Sequence, residues 1–474
     1  MLGIESNQVR LCDGVGRRDF LRLGGLGAMG LQASSLLQAR ETQAAPNGPG
    51  GKLYGKAKKC ILLHLWGAPP HQDTFDMKPN APAEVRGEFM PIASQVPGIQ
   101  VSDHLPLISR HTDKFTIVRS VHHKEGDHQA AAHDMLTGNR YLWLDPLNSA
   151  KRSDYPNIGA VLAKMKPADK GLPQYVQLPC LLQTNSGKIV PGQNAGYLGK
   201  TYDPFLISAL SNYAPLHDPG FRTFVPDSIR PYPQMTPVRW RGRQRLRQAL
   251  DQRLAAADRN REVQAFDSYS QRAFDMISSP RSRKAFNLNE ENEKTRRRYG
   301  YHPFGQSVLM ARRLAEAGVP LVTVYWRNGR KRTDIGWDNH INNFVNLKNW
   351  QLPPTDQAFS ALMEDMSASG QLEDTLVVLM GEFGRTPGIS DQGGRQHWPQ
   401  CYSVVLAGGG IRGGEVFGSS DAKAAYPATN PVTPFDLGAT IYHLLGINSE
   451  TTVHDFLGRP HRICSGTPIS GLLG

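Results

Sequence analysis

The chain has 474 residues, 39% of them hydrophobic, with 47 Gly, 34 Pro and a formal net charge of +12. That length suits one large α/β domain with insertions or two ordinary domains, and the modest apolar content argues against a helical bundle or a membrane protein. Basic residues crowd Arg239–Arg261 and Arg281–Arg298 without zinc-finger spacing or interleaved aromatics, so they read as solvated helix faces and not as a nucleic-acid surface.

In chain order, the first feature is Gly16-Arg17-Arg18-Asp19-Phe20-Leu21-Arg22, followed by a weakly apolar run (Leu23–Leu37) and the small residues Ala44-Ala45. Residues 1–45 resemble a bacterial twin-arginine signal peptide, which implies a bacterial protein carried already folded by the twin-arginine machinery. The expected destination is the periplasm or cell surface, secreted without a stable membrane span once the signal is removed. Residues 46–58, rich in Pro, Gly and Lys, read as a flexible leader, and 59–474 as the folded domain. Cys60, Cys180, Cys401 and Cys464 are widely spaced with no C-x-x-C pair, which excludes a cysteine zinc site and leaves room for one or two disulfides after export.

The domain opens with an apolar run, Cys60–Trp66, read as a strand with His64 as a packed core histidine. A second strand is expected over Phe115–Val121, then an Ala-rich helix ending at Leu136-Thr137-Gly138, a helix over Ile158–Met165 and a strand over Tyr175–Leu178. Residues 185–300 break the pattern and read as an inserted cap, with amphipathic helices Val238–Ala256 and Arg261–Ile277. Alternation then returns. Helix Gln306–Gly318 precedes strand Leu321–Tyr325, helix Asp356–Ser369 precedes strand Thr375–Leu379, and strand Cys401–Leu406 precedes helix Pro434–Leu445. Strands alternating with helices predict a mainly parallel sheet sandwiched by helices.

Four polar clusters follow predicted strands: His71, Asp73 and Asp76; Arg119 with His122, His123, Asp127, His128 and His133; Asp338 and His340; and Glu382, Arg385 and His397. Strand C-terminal ends share one edge of a parallel sheet, so these distant segments can converge on one crevice. Oxygen ligands from Asp73, Asp76, Asp338 and Glu382 with nitrogen ligands from His128, His340 and His397 suit Zn²⁺, Mn²⁺ or Fe better than calcium. Arg119 and Arg385 have the fork geometry to grip a phosphate, sulfate or carboxylate, with His123 as a further substrate contact. Each has a plainer alternative: Glu382 and Arg385 as a structural salt bridge, Asp338 and His340 as turn residues, and at most one of His122 and His123 lining a site. No Gly-rich dinucleotide loop or haem motif is present.

The motifs His71-Gln72-Asp73-Thr74-Phe75-Asp76-Met77-Lys78-Pro79, His128 through Gly138, Trp337-Asp338-Asn339-His340, Gly381-Glu382-Phe383-Gly384-Arg385-Thr386-Pro387 and Gly394-Arg395-Gln396-His397-Trp398-Pro399 resemble the exported bacterial family called domain of unknown function 1501. The resemblance runs from Lys58 to the C-terminus, and through it the chain is similar to the alkaline phosphatase and sulfatase superfamily. It implies an alkaline-phosphatase-like fold. It also implies that Asp338, His340 and His397 occupy ligand positions, that Glu382 stands where an Asp would be and Phe383 where a His would be, and that His128 falls at the nucleophile position. No C-x-P-x-R sulfatase motif and no Ser or Thr nucleophile is found. His128 is left as nucleophile, general base or ligand. Asp73 or Asp76 would replace the ligand missing after the first strand. The resulting expectation is a metal-binding hydrolase of phosphate or sulfate esters, sulfatase-like but altered, with one divalent ion. The alternative is a non-catalytic exported protein that binds an anionic glycan or a cell-surface partner.

Overall fold

The apolar runs that predict strands are buried on both faces, which is why they lack polar alternation. The computed structural model describes residues 53–142, 149–166, 171–184, 186–207, 279–326 and 336–474, with positions 239, 242, 245 and 246. The segment expected to be an export signal lies outside the described residues. So do the two expected cap helices, apart from those four positions.

Among the described residues, eight strands form one sheet: β1 (Lys59–His64), β2 (Phe115–Val121), β3 (Tyr175–Leu178), β4 (Phe205–Leu206), β5 (Leu321–Tyr325), β6 (Thr375–Met380), β7 (Tyr402–Ala407) and β8 (Glu415–Phe417). Their order is β8-β2-β7-β6-β1-β5-β3-β4. Only β7 runs antiparallel, between β2 and β6, so the sheet is mostly parallel. Alternate residues of β1 feed two cores. Ile61 and Leu63 pack with α3 (Pro303–Ala317) and α4 (Leu352–Ala368), while Cys60 and Leu62 pack with α1 (His128–Thr137), α2 (Ile158–Met165) and α5 (Pro434–Leu444). Helices therefore cover both faces.

β1 stops at His64, two residues before the expected end, because Gly67 turns the chain with φ 105°. α3 and α4 start three and four residues earlier than expected. Each carries proline in its first turn, where no intrahelical N–H is needed. Residues 53–58, expected as part of a flexible leader, are tied down. Gly55 N and Ala57 N donate to His443 O and Leu444 O at the end of α5, and Lys58 N donates to Asp374 O. The end of the expected cap belongs to the main body: Pro280–Phe286 and Glu293–Tyr299 pack on α3. The four described cysteines are buried, and the one or two disulfides the sequence leaves room for are not formed among them. No described helix is long and apolar enough to cross a membrane.

Candidate functional site

The C-terminal ends of β1, β2, β5 and β6 open on one edge, and the segments leaving them build the site. Gly67, after β1, permits the closest approach. A Cβ there would lie 2.6 Å from the amide nitrogens of both Trp337 and Asp338. Asp127, after β2, caps α1 by accepting from Gln129 N and Ala130 N at 2.9 and 3.0 Å. That cap makes His128 the first helical residue and aims it at the crevice. Beyond β5, Trp337 N donates to Trp66 O at 2.9 Å and Asn339 Nδ2 donates to Gln351 Oε1 at 2.7 Å. The two anchors leave Asp338 and His340 facing the site. His397 pairs with Arg385 in a two-residue antiparallel ladder after β6. Gly394 lets this hairpin lie on His340, whose carbonyl oxygen a Cβ would meet at 1.8 Å.

Three imidazoles converge on one carboxylate oxygen. Asp338 Oδ1 lies 3.2 Å from His128 Nε2, 2.8 Å from His340 Nε2 and 3.2 Å from His397 Nε2. The Nε2 atoms of His340 and His397 are 3.0 Å apart. Each ring is held by its other nitrogen. His128 Nδ1 donates to Glu382 Oε1 at 2.5 Å, His397 Nδ1 donates to Gly126 O at 2.8 Å, and His340 Nδ1 contacts Gln396 Oε1. Because those oxygens accept, Nδ1 carries the proton and Nε2 presents a lone pair in each neutral ring. Lone pairs facing a carboxylate oxygen repel unless a cation lies among them. His128 Nε2 is buried and makes no hydrogen bond. His128, Asp338 and His397 form a candidate His/Asp metal site, and their donor set suits a divalent transition ion.

Burial alone would push the Asp338 carboxyl up, but the His128 and His397 rings and the Arg385 guanidinium outweigh it and hold Asp338 far below the carboxylate range. Burial likewise raises Glu382, and the neighbouring rings of His128 and His64 reverse this, holding it at about 2. Both carboxylates are therefore ionised at neutral pH. Burial pulls His128 down, but the neighbouring carboxylates Asp338 and Glu382 outweigh this and raise it above its ordinary value. In the state that binds an ion, with each Nε2 unprotonated, the two carboxylates and cationic Arg385 leave one net negative charge.

Other expected site residues are engaged elsewhere. Asp73 forms a fully buried pair with Arg395, accepting from Nε at 2.8 Å and Nη2 at 2.7 Å, and also accepts from Asn343 Nδ2 at 2.8 Å. Asp76 is 3.0 Å from Lys78 Nζ and 3.6 Å from Arg119 Nε, and Ser420 donates to it. Arg119 donates to Phe75 O and Gln100 O, away from the cluster. Both ring nitrogens of His123 are used, by Glu382 O at 2.8 Å and Glu125 N at 3.1 Å. Arg385, expected to grip a substrate, is fully buried: it donates to Ala68 O, Gly67 O, Arg395 O and Asp338 Oδ1, and so clamps the site's own frame. Glu382 Oε1 is occupied by Gly67 N and His128. Phe383 is buried and stacks on His128 with centroids 4.7 Å apart. Sequence reading assigned no role to Gln396 or Gly126, although Gln396 adjoins His397 within a quoted motif.

Residues 57–473 match a family profile described as "protein of unknown function (DUF1501)", and the chain belongs to that family. No curated protein matches it. Among solved structures, the chain is similar to the PsFucS1 sulfatase from Pseudoalteromonas sp., with 12% identity, 89% of this chain and 73% of that one covered and a TM-score of 0.37. It is also similar to an alkaline phosphatase superfamily protein from Vibrio parahaemolyticus (10% identity, 83% and 67% covered, TM-score 0.36). A third is the phosphonate monoester hydrolase SpPMH from Silicibacter pomeroyi (12% identity, 88% and 76% covered, TM-score 0.33).

Proposed function

We propose that the chain is an exported hydrolase of phosphate or sulfate esters that uses one divalent metal ion and water. The observation that carries this reading is the convergence of three imidazole Nε2 atoms on Asp338 Oδ1, each ring held through Nδ1. His128, Asp338, His340 and His397 would hold the ion, with Glu382 behind His128 as its orienting carboxylate. His128 is thus read as a ligand in place of a base or nucleophile, and Glu382 as its support in place of a ligand. The bound ion would supply Lewis-acid polarisation of the ester oxygen and a lowered pKa for an attacking water.

The chain's own residues do the rest. Arg385 fixes Asp338 against the loops after β1 and β5. Phe383 packs within 4.7 Å of His128 and 4.8 Å of His397, leaving an apolar wall where another ligand would sit. His340, with a side chain 40% exposed, marks the open side from which an ester enters. A divalent ion turns the site's one net negative charge into one net positive charge, which favours an anionic substrate.

One observation favours the non-catalytic alternative. Among the described residues, no Ser, Thr or Cys side chain hydrogen-bonds to Asp338, His128, His340 or His397, so no protein nucleophile is at hand. The two readings separate experimentally. Protein purified from its native host is analysed for metal, then assayed on aryl phosphates and aryl sulfates with Zn²⁺ or Mn²⁺, beside His397→Ala. Turnover that tracks bound metal and is lost in H397A supports the hydrolase. Metal-free protein, or turnover unchanged in H397A, removes it, and glycan binding without turnover supports the alternative.

A further inference from the structure

Glu382 has a second oxygen whose neighbour lies deeper in the sheet. Its Oε1 accepts from Gly67 N at 2.8 Å and from His128 Nδ1 at 2.5 Å, while Oε2 makes no hydrogen bond and faces His64 Nε2 at 3.4 Å. His64 ends β1, the central strand, in register with Tyr325 of β5 and Met380 of β6. Its ring is fully buried beside Trp66 (centroids 6.1 Å) and edge-on to Tyr325 (5.9 Å). Neither ring nitrogen makes a hydrogen bond. Burying such a ring carries a desolvation cost that Phe or Leu would not incur. The polar atom it faces is Glu382 Oε2.

We propose that His64 is a positioning residue for the metal centre: it holds Glu382 Oε2, so that Oε1 keeps His128 in the Nδ1–H form with Nε2 free for the ion. The inference rests on the metal reading above. A buried carboxylate with one oxygen unsupported can turn in its cage. A turned Glu382 withdraws Oε1 from His128 Nδ1. That ring is then free to carry its proton on Nε2, where it competes with the metal. With His64 at Oε2, both carboxylate oxygens face imidazoles and the orientation of the carboxylate is fixed from two sides. The path from sheet core to ion is then a His–Glu–His chain, and His64 acts only through Glu382.

The test uses the chelator-stripped chain, with Zn²⁺ affinity read by competition with a chromophoric chelator and Co²⁺ binding read by its visible absorption. His64→Phe keeps an aromatic ring in the core but removes the donor, and is expected to weaken binding about 10–100-fold. His64→Gln, whose amide Nε2 reaches close to the imidazole Nε2 position, is expected to recover affinity to within about threefold of wild type. Unchanged affinity in H64F, or equal losses in H64F and H64Q, would overturn the assignment in favour of plain packing. If H64F does not fold, His64→Asn, whose shorter amide cannot reach Oε2, takes its place with the same two outcomes. Wild-type protein that binds no ion ends the metal reading itself, whereas wild-type binding matched by H64F ends only the role of His64.

Discussion

Substituting Asp73 tests whether this carboxylate serves the fold or the ion. Asp73 and Arg395 are both fully buried and meet through two parallel bonds, with Asn343 supplying a third. Hydrogen bonds to charged groups contribute about 1.5–3 kcal/mol each, so losing all three would cost about 5–9 kcal/mol. Asp73→Asn keeps one acceptor oxygen, and Arg395 keeps its bonds to the Val85, Thr386 and Pro387 carbonyls. The remaining loss is the counter-charge of a buried guanidinium, for which breaking a buried pair gives about 3–5 kcal/mol. The expected result in equilibrium denaturant unfolding is a loss of that size for D73N. Pairing Asp73→Leu with Arg395→Met should cost less than the two single changes together, because no lone charge stays buried. Folded D73N should still bind its ion with wild-type affinity. A D73N protein as stable as wild type, yet unable to bind metal, would refute this reasoning and return Asp73 to the ligand set.

Three other outcomes are expected. Asp338→Asn and His397→Ala should each weaken metal binding by more than about 100-fold, and Glu382→Gln by about 10–100-fold; isothermal titration that ranks Glu382→Gln as the most damaging would make Glu382 the ligand. Burial lifts Asp356 to about 6 despite two bonds from the backbone amides of Leu107 and Ile108. The folded state then binds more protons than the unfolded one, so this residue's contribution is full below about pH 4 and lost as pH rises through about 6, at most about 3 kcal/mol. Stability measured from pH 4 to 7 should fall less steeply in Asp356→Asn, and identical slopes would contradict the assignment. Burial pushes the thiols of Cys60 and Cys401 up to about 12 and that of Cys464 up to about 11. With Cys180 also buried, the four should resist a thiol reagent at pH 8 in the folded protein and all react in guanidinium, a thiol missing after denaturation being evidence of a disulfide.

The sheet was legible because its strands are buried on both faces, and continuous β-branched runs have few other uses. β2, β3, β5 and α2 lie where periodicity puts them. The starts of α3 and α4 were less legible because proline in a first turn looks like a breaker until the helix behind it is known. Convergence of the clusters after β2, β5 and β6 followed from strand direction alone. What direction cannot supply is a partner far along the chain. Asp73 and Arg395 are 322 residues apart, and an acidic residue beside a strand end reads the same whether it meets an ion or a guanidinium.

On the proposed reading, the same limit explains why Glu382 and His128 change places. Both have side chains that suit a ligand, and their positions after β6 and β2 are equally close to the crevice. The difference lies in single atoms: Oε1 is already filled by Gly67 N and His128 Nδ1, whereas His128 Nε2 is buried without a hydrogen bond. A residue whose acceptor is filled orients, and one with an unfilled lone pair among other lone pairs coordinates. Phe383 extends the argument. Its ring lies over His128 and against His397, so one flank of both imidazoles is apolar. On the single-ion reading, that wall prevents a second ion from sharing Asp338 and lowers the local dielectric around the first. Phe383 and Glu382 then act together, one limiting the site to one ion and the other fixing the imidazole that binds it.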